Sequence, residues 1–236
     1  MTQAYKITAL VLNVRDPVRL SAFYCDVLGM TRFARGGDVT VGYGGQGACL
    51  ILQPAEGGQP YAHSASARYW KIAITVPNLD LVYEQLTSLG VEMTPPRQFR
   101  DIAYISHLTD PEGYVIEFLQ HTFEGTRRTE EGDPTRPLGG GAQIGLITLR
   151  TSDLEGEVAT CQHALGMRYL SRQDVAEYGF DLHFFAPTQE HPPTPVVNAI
   201  ENREWLWQRP YTVLEFQHRV DGTAIAPPLV GVEGAA

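Results

Sequence analysis

Two glutamates stand inside apolar strands at matching places of a repeat, Glu117 in Ile116-Glu117-Phe118 and Glu215 in Leu214-Glu215-Phe216. A carboxylate held among apolar neighbours is a candidate for proton transfer. Histidines lie near both. His107 precedes the turn at Asp110, His121 and His218 follow the glutamate-bearing strands, and His183 sits in the run Phe180 to Ala186. By strand parity His121 shares the face of Glu117, whereas His218 lies opposite the face of Glu215. His121 and His107 are therefore candidate acids or bases, with simple solvation as the alternative for strand-end histidines. Cys25, Cys49 and Cys161 form no CxxC pair and suit reduced thiols better than a disulfide framework. Trp205 and Trp207 read as a cap on a core or on a subunit contact.

The elements that must position these groups recur three times. An apolar strand runs into a short helix ending in Leu-Gly at residues 9–30 (ALVLNVRDPVRLSAFYCDVLGM), 71–91 (KIAITVPNLDLVYEQLTSLGV) and 146–167 (LITLRTSDLEGEVATCQHALGM). Such regularity implies a repeated fold unit, and equivalent positions must face the same way. Alternation and turn residues give a strand at 6–14, a helix from Asp16-Pro17 to about Leu28, and strands at 30–35, 38–43 and 48–53. The second unit repeats this with a strand at 69–76, a helix from Asn78 to Leu89, and strands near 91–94, 102–108 and 114–120. Residues 124–142 are polar and glycine-rich and read as a linker. The third unit has strands at 143–151, 167–173, 178–186 and 211–218, a helix from Asp153 to Leu165, and an extra stretch at 187–210. The tail from residue 219 reads as loosely held.

Composition narrows the function classes. The 236 residues carry a formal charge of −9, which gives no support to phosphate-backbone binding, so nucleic acid is not expected as a partner. No apolar run approaches the roughly 18 residues needed to span a bilayer, and no leader pattern opens the chain. A cytoplasmic protein without membrane contact is the expectation.

The strings LNVRDPVRLSAFYCDVLGM and LTDPEGYVIEFLQ resemble the vicinal oxygen chelate superfamily, which includes glyoxalase I, extradiol dioxygenases and bleomycin resistance proteins. The third unit, with LRTSDLEGEVATCQHALGMRYLSR and VLEFQH, is most similar to the first half of glyoxalase I. The resemblance implies an α+β fold of three βαβββ modules, with curved mixed sheets around a cavity and helices on the outer faces. Residues 1–123 are then expected as a complete pair of modules, 124–142 as linker, 143–218 as a third module and 219–236 as tail. An unpaired third module would expose an edge and an apolar concave face, so a homodimer closing through it is expected.

The resemblance also implies metal ligands on the first and last strands of each module. Alternation places Leu10, Leu12 and Val14 toward the helix and leaves Ala9, Val11 and Asn13 inside. Ala9 and Ile51 occupy ligand positions of the first module, with Cys49 and Gln53 beside Ile51. Lys71 and Glu117 occupy those of the second, with Thr75 on the inner face. Leu146 and Glu215 occupy those of the third, with Thr148 and Arg150 alongside. One carboxylate beside an ammonium offers too few donors for a divalent ion, so no metal and no other cofactor is expected. Lys71 and Glu117 should meet where relatives hold the ion. Glu117 could then remove an α-proton from a carbonyl substrate while Lys71 stabilises the oxyanion, or the two could form a structural ion pair. Arg150 falls where glyoxalase I resemblance implies an arginine for a glutathione carboxylate, the alternative being a pair with Glu215.

The candidate site is thus catalytic Glu117, Lys71 and His121, with Asn13, Cys49, Gln53, Thr75, His107, Arg150 and Glu215 binding a small-molecule substrate. The leading expectation is a metal-independent isomerase or lyase. A sequestering protein of the bleomycin-resistance type comes second. A ring-cleaving dioxygenase comes third, because its iron conflicts with Ala9, Ile51 and Lys71.

Overall fold

The computed structural model describes residues 6–35, 37–128, 130–225 and 232–235. The first unit holds β1 (Lys6–Val14), α1 (Pro17–Ala22), β2 (Thr31–Arg35), β3 (Asp38–Gly42) and β4 (Cys49–Pro54). Asp16 starts α1 by accepting from the Arg19 N–H at 3.0 Å, and Pro17 brings a preset φ to the first helical position. The second unit holds β5 (Tyr69–Val76), α2 (Leu79–Ser88), β6 (Arg97–Phe99), β7 (Ala103–Thr109) and β8 (Val115–Gln120). The third holds β9 (Gln143–Thr151), α3 (Leu154–Ala159), β10 (Arg168–Val175), β11 (Phe180–Ala186), α4 (Glu201–Trp207) and β12 (Val213–Arg219), and β13 (Val232–Ala235) follows. Both α1 and α3 run on into one wider turn, at Phe23–Val27 and Thr160–Ala164.

The expected strand at 91–94 is irregular, and β6 begins instead at Arg97. Pro95 and Pro96 intervene and bring no N–H to a ladder. The tail also departs from expectation, since Val232–Ala235 pairs antiparallel with β1. The segment 124–142 is anchored along α2. Gln85 Nε2 donates to the carbonyls of Pro134 and Arg136, Asn78 Nδ2 donates to Glu131, and Leu138 is buried.

Two sheets result. Eight strands run in the order β10-β11-β12-β9-β5-β8-β7-β6, and five in the order β13-β1-β4-β3-β2. This corrects the expected division of the chain, in which residues 1–123 were to form the complete pair. The second and third units share one sheet through the antiparallel pairing of β5 with β9, and the first unit stands apart from it. Gly145 permits the close approach, because a Cβ there would overlap the Thr75 side chain. The homodimer expectation loses its basis as well, since the third unit's open edge is already filled by β5 of the same chain.

The first unit packs behind the eight-stranded sheet. Leu10, Leu12 and Val14 share a core with Ile72, Ile74, Ile116, Phe118, Ile147 and Leu149, all helix-facing positions. Polar ties fix its placement. Tyr24 donates to Asp110 at 2.8 Å, Tyr114 donates to the Asn13 carbonyl at 2.7 Å, and the Arg15 N–H donates to Glu112 at 3.0 Å. Burying this aliphatic face supplies the main driving force for joining the sheets.

Candidate active site

The opposite face of the eight-stranded sheet lines a cavity of about 220 Å³. Its polar and charged members come from six strands, Lys71 from β5, Arg97 from β6, His107 from β7, Glu117 from β8, Gln173 from β10 and Glu215 from β12. Register explains the convergence. Ala73 pairs with Glu117 across β5 and β8, so Lys71 lies two residues away on the same face. His107 stands directly opposite Glu117, while Thr148 stands opposite both Lys71 and Glu215. The join of the two units therefore brings their closing glutamates into one space.

Lys71 Nζ lies 2.6 Å from Glu117 Oε2, and His107 Nε2 lies 3.0 Å from the same oxygen. Lys71 is 6% exposed and Glu117 4%, so this contact is largely shielded from water. The ammonium also stands 4.2 Å from the centre of the Trp70 ring, a favourable cation–π distance. Burial alone would raise the Glu117 pKa, but the Lys71 charge and the His107 hydrogen bond more than offset it and take the carboxyl down to about 2.

Glu215 behaves oppositely. It is 2% exposed, and its polar side-chain partner is Thr148, whose Oγ1 donates to Oε2. Burial raises its pKa, Lys71 opposes that, and the negative charge of Glu117 adds to it, leaving the carboxyl at about 7. One pocket thus holds a carboxylate ionised at neutral pH beside an ammonium, and a second carboxyl poised to exchange a proton near neutrality.

The remaining walls are apolar and aromatic, with Trp70, Phe99, Tyr178, Phe180 and Trp207 among them. Trp207 Nε1 donates to the Ile102 carbonyl at 3.3 Å, which fixes the indole as part of the cavity wall. Gln173 faces inward from β10, is fully buried, and neither its amide nitrogen nor its amide oxygen has a hydrogen-bond partner. A buried amide in that condition carries the cost of desolvation until a ligand supplies a donor and an acceptor.

Several expected site residues lie elsewhere. Asn13, Cys49 and Gln53 belong to the five-stranded sheet, so pairing of the second unit with the third removes them from this cavity. Thr75 is buried beside Gly145 at the join and does not line the cavity. His121 follows β8 but does not line the cavity either, and burial lowers its pKa. Arg150 donates to Gln217 Oε1 at 2.9 Å and to the carbonyls of Ser64, Ala67 and Tyr69. Its guanidinium clasps the chain before β5 and is committed there rather than to a ligand carboxylate. Sequence reasoning missed Trp70, Gln173 and Trp207 as lining residues. Inner-face parity along β10 was the signal available for Gln173, whereas Trp207 read as a cap on a core or a subunit contact.

The donor set does not fit the divalent ion that the resemblance implies. Of the four ligand positions in the paired units, β5 supplies an ammonium and β9 supplies Leu146, while Glu117 is already matched by Lys71. Glu215, with a pKa near 7, is only partly available as an anion. Among the described residues, no three donors of this cavity lie within ligand distance of one another.

A mixed sheet curled around a cavity, with helices outside it, defines the glyoxalase-like class of α+β fold. Residues 6–118 match the model of the Glyoxalase/Bleomycin resistance protein/Dioxygenase superfamily. Glyoxalase I from Zea mays superposes with a TM-score of 0.65 at 21% identity, covering 93% of this chain and 69% of that one. A putative dioxygenase from Bacillus subtilis superposes with a TM-score of 0.57 at 16% identity, covering 98% of this chain and 66% of that one. At these identities the likeness shows the fold. No curated protein matches the sequence. No helix among the described residues is long and apolar enough to cross a membrane.

Proposed function

We propose that the chain catalyses metal-independent proton transfer next to the carbonyl group of a small, largely apolar substrate, as an isomerase or lyase. The observation that carries this reading is the pairing in one pocket of Glu215, with a pKa of about 7, and the Lys71 ammonium. A general base works best when its pKa lies near the working pH. Glu117 is too weak a base at about 2, so its role is to hold Lys71 in place together with His107.

In the proposed step the Glu215 carboxylate takes a proton from the carbon beside the carbonyl. The electron pair left behind moves onto the carbonyl oxygen, where the Lys71 ammonium stabilises the developing charge. Return of the proton from Glu215 to the same carbon gives exchange or epimerisation; in an α-hydroxy ketone, return to the former carbonyl carbon, with the hydroxyl proton passing to the enolate oxygen, completes an isomerisation with no net gain or loss of atoms. The aromatic walls suit a planar apolar group, and Gln173 suits a polar substituent with both donor and acceptor character. A cavity of about 220 Å³ limits that substrate to roughly one ring with its substituents.

The test is deuterium incorporation into small aryl ketones and α-hydroxy ketones in D₂O, followed by proton NMR. Wild-type protein should accelerate exchange, and the rate should rise with pH through about 7. Glu215→Gln should lower it by about 10² to 10⁴. Exchange that survives Glu215→Gln, or no exchange above the buffer rate across that substrate set, defeats the reading. The aromatic lining also favours a second reading, sequestration of a planar ligand, under which such compounds bind and are recovered without deuterium.

A further inference from the structure

On the outer face of the third unit, away from the cavity, β11 and β12 bring three metal-type ligands together. Asp181 pairs directly with His218, and His183 stands two residues from Asp181 on the same face. One donor atom from each of the three lies within 4.8 Å of the others. Phe180 and Leu182, the alternate residues of β11, line the cavity, so this cluster and the Lys71 site are separated by the thickness of the sheet.

The second observation concerns the imidazoles. His183 is 4% exposed, its Nδ1 lies 2.8 Å from the Tyr169 hydroxyl, and its Nε2 has no hydrogen-bond partner. Nδ1 of His218 is likewise buried without a partner. The two rings stand 6.1 Å apart at 66°, held by adjacent strands. Two unmatched ring nitrogens in a shared space carry the cost of buried polar atoms, and that cost is removed when each gives its lone pair to a cation. Tyr169 fits the same scheme. With Nε2 bound to a metal, the Nδ1–H donates to the Tyr169 oxygen, the outer hydrogen bond that ligating histidines commonly make.

We propose that Asp181, His183 and His218 form a binding site for a zinc-class divalent cation on the outer face of the sheet, independent of the chemistry in the cavity. Imidazole nitrogen and carboxylate oxygen are the donors such ions take, and three protein ligands leave one position for water. Donors on a tetrahedral ion stand roughly 3.4 Å apart, so side-chain rotation must draw the cluster inward by about 1 Å. Arg172 opposes binding, since its guanidinium lies 3.2 Å from Asp181 Oδ2. The same group lies 2.6 Å from Asp174 Oδ1, so Asp174 can retain it while Asp181 turns to the ion.

The experiment is titration of tag-free, chelator-treated full chain with Zn²⁺ by calorimetry and with Co²⁺ by visible absorption, with thermal unfolding alongside. The expected result is one saturable site per chain, a rise in Tm with Zn²⁺, and Co²⁺ absorption of the strength given by a low-coordinate nitrogen and oxygen site. Asp181 and His218 are only half-buried, so Asp181→Asn and His218→Ala should fold and should each weaken binding at least about tenfold. Arg172→Gln should tighten it. Absence of saturable uptake, or uptake unchanged in both ligand variants, overturns the proposal. So does uptake lost in Glu215→Gln but retained in His218→Ala, which would put the ion in the cavity.

Discussion

The closing strands β8 and β12 carry the same motif in the same place, yet their glutamates have opposite characters. Glu117 in β8 falls to about 2, and Glu215 in β12 rises to about 7. Both are buried, so burial does not separate them. The difference lies in the neighbours. Glu117 has the ammonium of Lys71 at 2.6 Å and the imidazole of His107 at 3.0 Å, whereas Glu215 has the hydroxyl of Thr148. Leu146 stands on β9 where Lys71 stands on β5, and the register sets the lysine beside one carboxylate. The repeated fold decides where a carboxylate sits. The residues on the adjoining strands decide what it can do.

The largest effect should come from removing the charge that distinguishes the two strands. Lys71→Met leaves Glu117 buried without its cation, and urea unfolding should show a loss of about 3–5 kcal/mol. Proton exchange should be lost with it.

Next in size is Glu215→Gln, for which the sign is fixed by linkage. Below the unfolded value of about 4.5 both states hold the proton, and the raised folded pKa costs nothing. As pH rises from about 4.5 to about 7 the unfolded chain releases the proton first, so the folded protein loses on the order of 3 kcal/mol and stays at that penalty above it. Glu215→Gln should therefore be more stable than wild type at about pH 8 and nearly equal to it at about pH 4, as measured by Tm. Glu117 has the reverse sign. Its contribution is present above about 4.5 and is lost as pH falls toward about 2.

A smaller gain should follow Gln173→Leu, which removes two unmatched buried amide atoms. Stability should rise by about 1–2 kcal/mol while ligand affinity falls, read by unfolding and by calorimetry with any compound that shows exchange. Smallest of all, Glu117→Gln should lower the midpoint of the Glu215 titration, because the repelling charge disappears and Lys71 turns wholly toward Glu215. An unmoved midpoint would mean that the two carboxyls do not sense each other.

Much of this geometry was legible in the residues. The limits of β1, β5 and β9 follow from alternation and match those expected, and the family resemblance with alternation set Lys71 and Glu117 on one inner face and Leu146 and Glu215 on another, which the structure merges. Strand pairing was not legible. Residues 1–123 read as a contiguous pair, but nothing in an apolar strand such as β5 says whether β1 or β9 will lie against it. The clue was the glycine at 145, whose need becomes plain only beside Thr75. The acid–base roles were also hidden, because they depend on which charges surround each carboxylate after the sheet closes. Glu117 looked like the base for its position, and its own neighbours make it the anchor.

The most direct measurement is a ¹³C NMR titration of the glutamate side-chain carboxyls, assigned with Glu117→Gln and Glu215→Gln. The account predicts one carboxyl titrating near 7 that disappears in Glu215→Gln, and another that remains ionised down to about pH 3 and disappears in Glu117→Gln. Titration of Glu215 at an ordinary glutamate value would contradict it.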